Sequence, residues 1–145
     1  MNWDWNTIAS SATAVGVGIA AWQIWESRRL AQTTFEDSLD KQYRSLVMQI
    51  PVDVLIGKPI PDGKKREVRE IIYNYLDLCN EQAYLRKKKR ITKTRWNDWS
   101  EGIRDNISKP AFKEVWEEIK REAPSTLSSL TQLEKNGFDC DPAKW

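Results

Sequence analysis

The sequence predicts an all-α protein: one N-terminal transmembrane helix continuing into a cytoplasmic helical bundle. Three observations carry that prediction. Trp5 to Trp25 is a run without a single charged residue. After it, apolar residues recur at the three- and four-residue spacing of helix faces. Nowhere does the chain show the two-residue alternation between turn signals that marks a strand.

The uncharged run comes first. At 1.5 Å rise per residue its length is ~30 Å, the thickness of a bilayer's hydrocarbon core. Trp3 and Trp5 precede or open it and Trp22 and Trp25 close it, as expected of indoles at membrane interfaces. Glu26, Arg28 and Arg29 then end the apolar stretch. With only Asp4 before the run, the positive-inside rule places the N-terminus outside and the rest in the cytoplasm. Three other readings compete. A signal peptide wants its positive charge ahead of the apolar run. A helix lying flat on a membrane wants a charged face. A buried core helix is the serious rival, because Asn6, Thr7, Ser10, Ser11, Thr13 and Gln23 dilute the run. The expected organisation is a membrane helix with interfacial tryptophans over residues 1–27, a cytoplasmic helical domain over 28–137, and a loosely held tail over 138–145.

The faces of the first helix are segregated. Ile8, Val15, Ile19 and Trp22 fall on one side. Asn6, Ala9, Thr13, Gly16, Ala20 and Gln23 follow a packing seam on the other. Small residues let helix backbones approach in lipid, and amides and hydroxyls can bond across the contact. The chain carries no second apolar span, so a helix partner must come from another copy, which predicts a homo-oligomer in the lipid bilayer.

The remaining elements follow in order. Phe35, Leu39, Tyr43, Leu46 and Ile50 continue the first helix, and Pro51 ends it. Residues 51–63 read as a loop closed by Pro61-Asp62-Gly63. Residues 64–90 form the clearest amphipathic helix, with Val68, Ile71, Ile72, Tyr75, Leu76, Cys79, Gln82 and Ala83 on one face. A helix from Thr92 buries Trp96, Trp99, Ile103 and Ile107; core is the default for such tryptophans. Ser108 and Pro110 open another helix, with Phe112, Val115, Trp116 and Ile119 inward. Pro124 and Ser125 begin the last one, which Asn136-Gly137 caps.

Composition narrows the chemistry. The 145 residues contain no histidine, so triads, Cys–His dyads and histidine-bound metals are excluded. Cys79 and Cys140 are too few for a thiolate metal site, and their placement suits reduced, cytosolic usage. No glycine-rich phosphate loop occurs. The sequence therefore predicts no enzyme, no catalytic residue, no metal and no cofactor. The net charge of +2 does not imply nucleic-acid binding by itself, yet Arg86-Lys87-Lys88-Lys89-Arg90 concentrates five cations. That run is the candidate site for an anionic partner: anionic lipid, RNA or a nucleotide signal. The bland alternative is a solvated helix end, where cations complement the helix dipole.

Several segments together carry a resemblance. They are Phe35-Glu36-Asp37-Ser38-Leu39, Lys41-Gln42-Tyr43-Arg44-Ser45-Leu46, Ile50-Pro51-Val52, Tyr75-Leu76-Asp77-Leu78-Cys79-Asn80-Glu81-Gln82 with Leu85-Arg86 after it, Trp96-Asn97-Asp98-Trp99-Ser100-Glu101-Gly102-Ile103, Pro110-Ala111-Phe112 and Trp116-Glu117-Glu118-Ile119-Lys120. They resemble a family of small bacterial single-pass membrane proteins with a cytoplasmic helical domain and no established activity. The resemblance implies the bacterial inner membrane. In layout alone the plan is similar to the membrane accessory proteins of type VI CRISPR systems, which assemble into pores. That likeness implies an oligomeric effector or pore in stress or phage defence. The alternative is a membrane anchor or interaction module that binds an anionic partner through the basic cluster.

Overall fold

The computed structural model describes the backbone from Trp5 to Trp145 and the side chains from Thr13 onward. The described residues are all-helical, with no strand. The helices are α1 (Trp5–Val47), α2 (Val52–Leu55), α3 (Lys65–Lys87), α4 (Lys93–Ser108), α5 (Pro110–Glu122) and α6 (Ser128–Lys135), followed by a 3-10 turn over Pro142–Lys144. The chain divides into two compact units, one reaching to Asp37 and one from Ser38 to Trp145.

In the first unit every residue from Thr13 to Trp25 is exposed. Val15, Val17, Ile19, Trp22, Ile24 and Trp25 each keep more than half their surface. An amphipathic helix on a protein core hides one face; here large apolar side chains remain open on all sides. The Arg29 guanidinium lies 5.6 Å from the centre of the Trp25 ring. The expected membrane span finds no support: among the described residues no helix is long and apolar enough to cross a membrane. The described side chains hold only the later part of the uncharged run, Thr13 to Trp25, which is ~20 Å of helix against ~30 Å of hydrocarbon. Trp3, Asp4, and the side chains of Trp5, Asn6, Ile8 and Ala9 lie outside the described residues.

The second unit is built around α3, which packs on α4, α5, α6 and the 3-10 turn. All eight apolar-face positions expected on α3, from Val68 to Ala83, are buried. Leu78 and Leu85 are buried as well, because α3 has neighbours on more than one side. Trp96, Ile103 and Ile107 of α4, and Phe112, Val115, Trp116 and Ile119 of α5, complete the core with Leu127, Leu130 and Leu133. Tyr75 meets Phe112 edge-on, with ring centres 5.3 Å apart. Trp99 is only half-buried. The helix ends follow the chain's own signals. The Thr92 hydroxyl accepts from the Arg95 N–H to cap α4. Asn136-Gly137 ends α6 in a Schellman turn, with Phe138 N–H donating to Leu133 O and Gly137 N–H to Glu134 O.

Four expectations need correction. Residues 51–63 contain the one-turn α2, which buries Val54. Ser108 is the last residue of α4 and Lys109 the cap of α5, since the Ser108 hydroxyl donates back to Asp105 O. α6 starts at Ser128, not near Pro124, because its cap comes from elsewhere: Asn80 Oδ1 on α3 accepts from the N–H groups of Ser129 and Leu130. The segment 138–145 is not loosely held. It turns back on α3, buries Pro142, and offers Cys140 O to the Trp96 indole N–H.

Candidate functional site

The five-cation run does not stay together. Arg86, still on α3, turns inward. Its Nε and Nη2 donate to the two Asp141 carboxylate oxygens at 2.7 and 2.6 Å, and Nη1 donates to Ile91 O. Both side chains keep under 15% of their surface. The hydrogen bond to Arg86 holds the Asp141 carboxyl below the ordinary carboxylate range, and the same bond holds the guanidinium above its own. Arg86 is thus a structural tie for the C-terminal segment.

The other four residues are exposed: Lys87 ends α3 and Lys88 to Arg90 form the turn that follows. Lys88 caps α3 and Lys89 sits at φ 56, in the left-handed region. Arg90 N–H donates to Leu85 O and Lys89 N–H to Arg86 O. This is again a Schellman turn, but with lysine where glycine is usual. Lys87 lies over the Trp145 ring at 5.7 Å and Lys88 over the Tyr84 ring at 5.5 Å. The turn therefore offers a fixed backbone carrying basic side chains, two of them laid on aromatic rings. At the other end of α3, ~35 Å away, Lys65 faces Asp62 at 3.6 Å and Arg66 bonds Glu70, so that basic spot is largely compensated.

The packing seam of α1 is exposed where it is described. Thr13, Gly16, Ala20 and Gln23 face solvent, and a Cβ added at Gly16 or Gly18 meets nothing within 4 Å. Asn6 and Ala9 have no described side chains.

Two hollows went unnoticed in the sequence. A groove of about 630 Å³ between α3 and α5 is crossed by the Arg69–Glu118 ion pair. A smaller cleft of about 260 Å³ lies between the end of α1, α3 and α4. There Asp40 accepts from Arg95 and from the Trp99 indole N–H, both at 2.8 Å. The only sequence signal for this cleft is the polar Gln82 on the buried face of α3. Cys79 is not poised as a nucleophile: it is buried beside Tyr75, and burial pushes its thiol up to about 12. No group of three or more potential metal ligands occurs among the described residues.

Comparison with protein-family models, curated proteins and solved structures finds no match to this chain. The resemblance to bacterial single-pass proteins gains no support from them.

Proposed function

We propose that this chain is a non-catalytic attachment and interaction module. The uncharged part of α1 carries it into an apolar environment, a lipid bilayer, where copies associate along Thr13, Gly16, Ala20 and Gln23. The helical domain from Ser38 onward presents the Lys87–Arg90 turn to an anionic partner. The observation that carries this reading is the exposure of Thr13 to Trp25 at every position with no charge among them. Apolar side chains of this size, open on all faces of a helix, call for a covering that the described residues do not supply. Within a bilayer, the small residues of the seam would let two such helices approach.

The anchor reading is preferred to a pore. Of the described seam residues only Thr13 and Gln23 could wet a channel, and neither is charged. The pore and phage-defence reading rests on layout alone.

The test is flotation of the full chain with liposomes, followed by alkaline extraction. The expected result is a protein that floats and resists alkali, and a Val17→Glu variant that does not float. Gly16→Leu should weaken self-association in detergent, and Gly18→Leu, about 160° away round the helix, should not. A full chain that stays monodisperse in buffer and ignores liposomes would remove the proposal.

A further inference from the structure

The cleft between the end of α1, α3 and α4 has the chemistry of a binding site, and it shares no lining residue with either feature used above. Its lining includes Tyr43, Gln82, Trp99 and Gly102. Gln82 is decisive. Only 2% of its surface is exposed, and its side-chain amide takes no part in the hydrogen bonds that line the cleft, which tie Asp40 to Arg95 and Trp99 and Asn106 to Tyr75. A buried amide is ordinarily bonded. This one carries a donor and an acceptor side by side and borders an open volume.

The walls narrow the ligand class. Trp99 is fixed as a wall by its indole bond to Asp40, and that carboxylate is in turn held by Arg95. Tyr43, half-buried, stands near Tyr75 with ring centres 6.0 Å apart. The Tyr75 hydroxyl accepts from Asn106 Nδ2, and burial keeps the phenol neutral. The charged lining is balanced, Asp40 and Asp98 against Arg44 and Arg95. A volume of about 260 Å³ is just below the usual range of ligand pockets and suits no more than one ring system. Gly102 sits inside α4, where glycine is a poor helix former, and a Cβ there would meet nothing within 4 Å. The open side of the cleft is thus left clear.

We propose that this cleft binds a single nucleobase, its edge read by the Gln82 amide and its face laid on Trp99. Aromatic walls stack on bases of any identity, and an amide pairs with the adjacent donor and acceptor on a base edge. The base could come from a free nucleoside or from a single strand, and the two sources separate in the test. The full chain is titrated calorimetrically with adenosine, guanosine, cytidine and uridine, and in parallel with the matching short homo-oligoribonucleotides. Saturable binding is expected for one base above the others, with a raised melting temperature. Binding by the oligonucleotide alone assigns the site to a strand; equal binding by the nucleoside assigns it to a free ligand. Gln82→Leu should weaken binding about tenfold or more without lowering the melting temperature. Gly102→Leu, which fills the open side while improving the helix, should weaken it similarly. No saturable binding of any probe, unchanged affinity in both variants, or a Gln82→Leu protein that melts earlier would each overturn the proposal; the last would mean that the amide has a structural partner.

Discussion

Asp141→Ala isolates the tie between the C-terminal segment and α3. The substitution deletes both charge-assisted bonds to Arg86 and the side-chain acceptor of the Ala143 N–H. It leaves a guanidinium whose side chain is 11% exposed, with Ile91 O as its remaining partner among the described residues. Removing one member of a buried ion pair costs about 3–5 kcal/mol. The terminal segment can lift off and let water reach Arg86, so the lower end of that range applies, about 3 kcal/mol. For a domain near one hundred residues this lowers the melting temperature by about 12 °C or more. The assay is urea unfolding of the full chain followed by circular dichroism, with the slope of the transition compared between variants. Asp139→Ala is the control, because its pair with Arg104 is exposed at 52% and 75% and should contribute under about 0.5 kcal/mol. A loss below about 0.5 kcal/mol for Asp141→Ala would show that the segment is not held through this pair.

Further predictions follow from the same geometry. The Asp141 carboxyl is held low by Arg86, so its stabilisation is complete above the unfolded value of about 3.9 and is lost as pH falls through the folded one. The stability gap between the parent and Asp141→Asn should therefore be constant from neutral to about pH 5 and close below about pH 4, measured by unfolding across that range. Lys89→Gly should raise stability by about 1 kcal/mol by relieving the left-handed backbone, and Lys89→Gln should not; equal values for the two would contradict the turn. Asn80→Ala should cost about 1–2 kcal/mol, because Ser129 and Leu130 lose their N-terminal acceptor, and the loss should appear as fraying of α6 in amide exchange.

Local chemistry explains which parts of the fold were legible. The buried face from Val68 to Ala83, the Thr92 cap and the Asn136-Gly137 turn depend on neighbours within four or five positions, and periodicity or residue type reveals them. What stayed hidden depends on distant partners. Asn80 caps a helix about fifty positions away, so the start of α6 could not be read from Pro124 and Ser125. Asp141 pulls Arg86 out of a run of five chemically similar cations, 55 positions earlier, and with it docks a segment that otherwise resembles a tail. Asp40 joins Arg95 and Trp99 across 55 and 59 positions, which is why the cleft left no local signal beyond Gln82. The apolar run of α1 was plain in the sequence; no cover for it appears among the described residues.

The most direct measurement of the central reading is depth quenching. A fluorophore is attached at Ile19→Cys in a full chain whose Cys79 and Cys140 are replaced by Ala and Ser, and the protein is mixed with liposomes carrying bromine in mid-acyl chain. The attachment reading predicts a blue-shifted emission that the brominated lipids quench strongly, while a label at Lys135→Cys on α6 is untouched. An Ile19 label that keeps its aqueous emission and escapes quenching, in a protein that remains folded, would contradict it.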